Sequence, residues 1–242
     1  MKAEDTTSRS RWSTRFHLGA RRFSVAQFLI ALVLLFVTEP FVEQIRHGRA
    51  IEAALLTLVM LSAVLAIGGG RRTLIWAIVL VVPAIVGHWA NHVWPGRIAP
   101  EGGLVPGMMF LLFVEFHLLR FVLRAPRVNT EVLFAGIAAY LMLGLCWTFA
   151  YLLVAQMAPN SFAFTTGPTA GQSMIGFSSL YFSFITLSTV GYGDIVPVSP
   201  VARMLAMTEA MTGTIYVAVL ISRLVALYTS EEATQQKEKD ND

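Results

Sequence analysis

The chain has 242 residues, of which 55% are hydrophobic and 14% are charged, and its mean hydropathy is +0.63. Soluble domains are about 25% charged, so this composition excludes a disordered or disulfide-rich chain and argues against a soluble enzyme. The formal net charge of +3 does not indicate a nucleic-acid partner, because the basic residues lie between apolar runs. The composition predicts a membrane protein.

Six apolar segments are long enough to cross a bilayer as helices, which takes about 20 residues each. A seventh run, residues 176–187, would rise only about 18 Å as a helix, so we expect it to enter the membrane and return. The predicted fold is all-α, with six transmembrane helices and one re-entrant helix. The six predicted spans are residues 23–42, 51–69, 73–93, 104–123, 131–157 and 201–228.

The basic residues predict the orientation of these spans. An even number of spans places both termini on one side of the membrane, and 14 of the 18 Lys and Arg residues lie on that side. Positively charged residues favour the cytoplasmic side. We therefore expect the protein to lie in a plasma membrane with both termini on the cytoplasmic side.

A glycine-containing loop follows the re-entrant run and precedes the last span. Backbone carbonyls of its first four residues, with the hydroxyl of Thr189, have the chemistry to replace the water around a cation. Gly191 and Gly193 reach left-handed backbone angles without the cost that a Cβ imposes, which allows successive carbonyls to face one axis. The loop, called the filter loop below, is Thr189-Val190-Gly191-Tyr192-Gly193-Asp194.

With this loop, residues 131–228 resemble the pore module of the tetrameric potassium-channel family. The resemblance implies a homotetramer in a lipid bilayer that conducts K⁺ passively and needs no cofactor. In that reading K⁺ is held by Thr189, Val190, Gly191 and Tyr192, and Gly193 completes the filter. Pro197 matches the family's proline after the filter acid, Asp194.

The re-entrant helix departs from the family pattern at one point. Many members carry two tryptophans early in this helix, one of which can hydrogen-bond the filter acid. Here these positions are Tyr181 and Phe182. We expect the Tyr181 hydroxyl to reach Asp194, in the same subunit or in a neighbour, and so to support the filter.

The last span carries a glycine, Gly213, at the position of the family's inner-helix hinge. A gating hinge is one interpretation, and close helix packing at a small residue is the other. Residues at four-residue spacing below it form a stripe that either lines the pore or packs against the fifth span, and a neighbouring serine is a further candidate for the pore-facing row. These residues are Val217, Ile221, Val225 and Ser222.

Charged residues in the spans suggest roles in voltage sensing, anchoring or proton sensing. Arg120, Arg124 and Arg127 are spaced to share a helix face at the cytoplasmic end of the fourth span, which favours anchoring over voltage sensing. Glu115, within that span, is expected to pair with a cytoplasmic-side arginine. Glu209, in the last span, is expected to hydrogen-bond the backbone of the re-entrant helix or a residue of its loop, and proton sensing is the alternative.

The predicted organisation has four parts. A cytoplasmic tail (1–22) precedes a sensor-like or peripheral four-helix domain (23–128), a pore domain (129–229) and a solvated, disordered tail (230–242), with residues 158–171 as an exposed loop. Neither tail is long enough for a cytoplasmic ligand-binding domain. A potassium-selective channel with weak or no voltage dependence is the predicted function, not an enzyme. The alternatives are a non-selective cation channel, a regulatory subunit and a membrane enzyme.

Overall fold

The structure, a computed structural model, describes residues 25–42, 45, 48–67, 70–93, 101–127, 129–165 and 174–240. The tail predicted at 1–22 lies outside the described residues. The elements of the described part are α1 (Val25–Val42), α2 (Gly48–Ile67), α3 (Arg71–Val93), α4 (Glu101–Arg124), α5 (Thr130–Met157), β1 (Phe162–Phe164), α6 (Phe177–Leu187), β2 (Ile195–Pro197) and α7 (Pro200–Asp240).

Six of these helices are long and apolar enough to cross a membrane, which confirms the predicted all-α membrane fold. The short apolar helix α6 stands between α5 and α7 in the chain, where the re-entrant run was predicted. Capping residues fix the first turns of α5 and α7. Asn129 caps α5 by accepting a hydrogen bond from the Val132 N–H at 2.9 Å, and the Ser199 hydroxyl accepts one from the Ala202 N–H at 3.2 Å.

The last helix is longer than predicted. It continues from Pro200 to Asp240, so the prediction of a disordered segment from residue 230 is wrong for residues 230–240. Neither glycine nor proline occurs between Gly213 and Asp240. The terminal run is also rich in Gln, Glu and Lys, which are strong helix formers.

The first four helices pack against the pore-side helices of the same chain. One cluster of buried apolar side chains draws members from α1 to α6. Gly107 of α4 lies so close to Phe149 of α5, a member of this cluster, that a Cβ there would stand 2.7 Å from the ring. The Phe36 ring of α1 meets the Phe184 ring of α6 edge to face, with centroids 4.9 Å apart. The short helix α6 therefore packs against α1 as well as against α5.

A small antiparallel sheet closes the outer end of the pore-side helices. Phe162 pairs with Pro197 and Phe164 with Ile195, and the Val198 N–H donates to the Ser161 carbonyl at 2.7 Å. The prediction of an exposed loop over residues 158–171 is therefore wrong at 161–164, where Ser161 is buried and β1 is half-buried. The aromatic residues at 162 and 164 cover the hydrophobic cluster beneath them.

Candidate functional site

The re-entrant helix ends in a motif that starts the filter loop. The Thr189 N–H donates to the Thr186 carbonyl and the Val190 N–H to the Ile185 carbonyl, both at 2.9 Å. This pair of bonds is a Schellman motif, in which the residue after the cap takes a left-handed conformation. Thr189 has that conformation, with φ +61°. The filter loop is thereby fixed to the last turn of α6.

Backbone angles alternate along the filter loop. Gly191 and Gly193 have φ values of +53° and +78°, so the left-handed conformations predicted for both glycines are observed. Thr189 shares this conformation, which the sequence did not indicate, because β-branched residues rarely adopt it. A Cβ on either glycine would meet no atom within 4 Å in the single chain, so backbone angle, and not space, requires glycine there.

The carbonyl groups of the filter loop divide into two sets. No group in the described part of the chain donates a hydrogen bond to the carbonyl oxygens of Thr189, Val190, Gly191 and Tyr192. By contrast, the Thr165 hydroxyl donates to the Gly193 carbonyl at 2.6 Å, and the Thr165 N–H donates to the Asp194 carbonyl at 2.8 Å. The four oxygens without a donor are those predicted to hold K⁺.

The filter acid is held within its own chain. The Tyr181 hydroxyl donates to Asp194 Oδ2 at 2.7 Å, so the predicted contact is present and joins two positions of one subunit. The Ile195 N–H approaches the other oxygen, Oδ1, at 3.1 Å. Pro197 lies in β2, where its carbonyl accepts from Arg203 Nε at 3.2 Å. These contacts tie the outer end of the filter loop to α6 and α7.

A second polar cluster lies behind the filter loop. Glu209 of α7 is fully buried and accepts a hydrogen bond from the Tyr151 hydroxyl of α5. Its other oxygen, Oε1, lies 2.6 Å from Ser183 Oγ of α6, which in turn lies 2.7 Å from the Gly144 carbonyl oxygen of α5. Glu209 therefore contacts α6, but through the side chain of Ser183 and not through the helix backbone or the loop that the sequence analysis expected.

Three residues of these clusters were missed by sequence reasoning. Tyr151, Ser183 and Thr165 carry no motif, and each is an ordinary residue of an apolar span, an apolar helix or a loop. The one available signal was Glu209, because an acid in a span requires a polar partner on a neighbouring helix. The identity of that partner depends on packing, which the sequence does not state.

Gly213 is a point of close contact. A Cβ there would clash with the carbonyl oxygen of Leu187, the last residue of α6. The helix α7 passes through this position without a break. Close packing, one of the two interpretations of this glycine, is therefore observed, and a hinge stays a prediction.

The lower half of α7 presents two faces. Tyr216 packs on α5, where its hydroxyl donates to the Gly136 carbonyl at 2.6 Å. The predicted stripe lies on a different face and is exposed in the single chain, so it does not pack against α5 of the same chain. A pore-lining role stays a prediction for this stripe, whose members are Val217, Ile221, Ser222 and Val225.

The charged residues of the fourth span are arranged differently from the prediction. The helix α4 ends at Arg124, before Pro126, so Arg127 lies beyond it and does not share its face. Glu115 is 5% exposed, and neither carboxylate oxygen has a hydrogen-bond partner among the described residues. The predicted ion pair is wrong there, because Arg124 lies nine residues on, half a turn around the helix, and is exposed.

The candidate site presents backbone carbonyl oxygens. Within the described ranges, no group of three or more His, Cys, Asp or Glu side chains is placed to hold a metal ion. The oxygens at hand are the carbonyls of the filter loop, which are dipoles and carry no formal charge. Such oxygens suit a cation that must enter and leave again.

Comparison with known proteins identifies the family. A family model described as an ion channel matches residues 140–230, from the middle of α5 into α7. Protein LctB of Bacillus caldotenax is 33% identical over 102 residues, which are 41% of this chain and 74% of that protein. Two pore potassium channel c of Oryza sativa subsp. japonica is 34% identical over 93 residues, or 38% of this chain.

The chain belongs to the potassium-channel family. The matched segment of this family member contains α6, the filter loop and Glu209, whereas α1 to α4 lie outside it. Two-pore potassium channel 1 of Arabidopsis thaliana is 34% identical over 99 residues. The matched residues make up less than a fifth of the first two plant relatives, 18% and 17% of their lengths.

Proposed function

We propose that this protein is a potassium-selective channel, in which four copies of the chain surround one pore and K⁺ passes through without energy input. The observation that carries the proposal is the set of four successive carbonyl oxygens, Thr189 to Tyr192, that receive no hydrogen bond from the described residues. Rings of such oxygens replace the hydration shell of K⁺.

The surface of α7 supports a homotetramer. One chain supplies one filter loop, and a closed ring of carbonyls needs four. The helix leaves large apolar side chains exposed in the single chain, and three of them, Met204, Met207 and Met211, lie in the N-terminal half of α7. A second copy would cover this face.

The charge pattern supports weak or absent voltage dependence and cytoplasmic termini in a plasma membrane. The part of α4 that precedes Arg120 contains no Arg or Lys. Arginines at the helix end cross little of the membrane field and hold the helix at the headgroups instead. The 14 to 4 distribution of basic residues supports the orientation.

The proposal is tested by reconstituting the protein in liposomes with opposed K⁺ and Na⁺ gradients. We expect a reversal potential close to the K⁺ equilibrium value and a tetramer in detergent. A reversal potential near zero would identify a non-selective cation channel. Absence of flux in a folded tetramer would contradict channel function.

Two glycine variants link that result to the filter loop. Gly191→Ala places a Cβ on a residue with φ +53°, at a cost of roughly 1–2 kcal/mol per subunit, and should abolish selective flux. Gly70→Ala is the matched control, since its Cβ also meets no atom within 4 Å but its φ is not positive. Equal effects of the two changes would argue against a carbonyl filter at this loop.

A further inference from the structure

Glu209 is a buried acid whose neighbours are uncharged. Its exposed fraction is 0%, and among the described residues the groups that contact its carboxyl oxygens are the hydroxyls of Tyr151 and Ser183. A carboxylate without a cation in such a place is costly, whereas a neutral carboxylic acid with full hydrogen bonding is not. The hydrogen bonds themselves show which form is present.

Three oxygen–oxygen contacts form a chain across three helices. They run from Tyr151 Oη to Glu209 Oε2, from Glu209 Oε1 to Ser183 Oγ at 2.6 Å, and from Ser183 Oγ to the Gly144 carbonyl at 2.7 Å. The two distances are those of full hydrogen bonds between oxygens. Each contact therefore needs a proton of its own.

The two hydroxyl groups supply only two of those three protons. A carbonyl oxygen cannot donate, so Ser183 must give its proton to Gly144. Thr148 also donates to the Gly144 carbonyl, at 2.8 Å, but it uses its own proton and supplies none to Ser183. The proton between Glu209 and Ser183 must then belong to the carboxyl group.

We propose that Glu209 is a protonated, neutral acid. It acts as a positioning residue that joins α7 to α6 behind the filter loop. It donates through Oε1 to Ser183 and accepts through Oε2 from Tyr151. The inference rests on the proposed channel function for its effect on conduction, but not for the proton itself.

Loss of this proton would rearrange the cluster. Among the described titratable groups, Tyr151 contacts Glu209 and Tyr140 interacts with it electrostatically without a hydrogen bond; both lie on α5, and α6 presents Ser183. Phenols ordinarily titrate near 10, so neither compensates a charge at neutral pH. A charged Glu209 would accept the Ser183 proton in place of the Gly144 carbonyl. The hydrogen bond from Ser183 of α6 to Gly144 of α5 would then be lost. We expect conduction to fall as the pH rises.

Glu209→Gln is the decisive variant, because its amide donates and accepts like the neutral acid and cannot ionise. In liposome flux assays at neutral pH we expect it to conduct within about twofold of wild type. At alkaline pH we expect wild-type flux to fall by roughly tenfold while the variant holds its rate. A variant that loses flux as a folded tetramer at neutral pH, or keeps the wild-type pH profile, would overturn the proposal.

Infrared spectroscopy tests the proton without reference to conduction. The difference between the infrared spectra of the wild type and of Glu209→Gln should contain the C=O stretch of a neutral carboxyl group at neutral pH. Glu115→Gln is the control, since it removes another buried acid and should leave that band in place. If Glu209→Gln does not assemble, the test is whether the spectrum of Glu115→Gln still contains the neutral-carboxyl band. A missing band overturns the proposal, and wild-type protein that shows the band without any flux contradicts only the channel function.

Discussion

Gly213 of α7 lies directly against the carbonyl oxygen of Leu187, the residue at which α6 ends. Two residues later the filter loop begins. Any change in the packing of α7 at this point is therefore transmitted to the backbone that supports the filter loop.

Substitution of Gly213 by alanine should disrupt the channel at the level of structure. Alanine favours a helix by about 1 kcal/mol over glycine, but the new Cβ would collide with backbone, which cannot move aside. We expect a lower thermal midpoint of the tetramer and loss of K⁺ flux. Gly136→Ala is the matched control, because its Cβ would meet the flexible end of Leu220 at 3.2 Å. Normal stability with altered opening alone would favour a hinge.

Removal of the Tyr181 hydroxyl should weaken the filter. Tyr181→Phe deletes the 2.7 Å hydrogen bond to Asp194, and a bond to a charged group contributes about 1.5–3 kcal/mol. We expect faster loss of K⁺ current during sustained conduction, measured in planar bilayers. Tyr140→Phe is the control, since no hydrogen bond of that hydroxyl occurs among the described residues. Unchanged current decay in Tyr181→Phe would show that this contact is dispensable.

Thr165 should matter as much as the filter acid. Its hydroxyl donates to the Gly193 carbonyl at 2.6 Å, and Thr165→Val removes that donor with little change in shape. The freed carbonyl can then rotate, so we expect K⁺ over Na⁺ selectivity to fall in the liposome assay. Thr38→Val is the control, because among the described residues its hydroxyl donates to carbonyls of its own helix. Selectivity equal in both variants would contradict this role.

Neutralising the arginines of α4 should leave voltage dependence unchanged. An arginine that crosses the whole field contributes about 2.3 kcal/mol per 100 mV, but Arg120 and Arg124 are exposed at the helix end. We expect the double change to Gln to preserve the slope of the conductance–voltage curve. A clearly shallower slope would assign these residues to a voltage sensor.

Glu115 should be a source of instability. Its buried carboxyl group has no hydrogen-bond partner among the described residues, and an unsatisfied buried group costs about 1–3 kcal/mol. Glu115→Leu should therefore raise the thermal midpoint of the purified protein. Glu131→Leu is the control, at the first turn of α5, where an acid is favourable. A lower midpoint for Glu115→Leu would mean that Glu115 has a partner in the assembled protein.

The sequence by itself determined the spans, the short apolar helix between the last two of them and the filter loop. These features depend on local chemistry, since an apolar run of a given length crosses a bilayer or does not, and Gly191 and Gly193 reach left-handed angles wherever they stand. The link from Tyr181 to Asp194 was also predictable, because both residues lie within one short segment whose geometry a helix and a loop fix.

Only the tertiary structure decided which residues surround Glu209, what Gly213 touches and where Glu115 points. Tyr151 and Glu209 are 58 residues apart in the chain, and their contact follows from how three helices cross. The same holds for Thr165, which reaches Gly193 because β1 pairs with β2. Hydropathy fixes that a helix is buried but not its rotation against its neighbours, and the proton of Glu209 depends on that rotation.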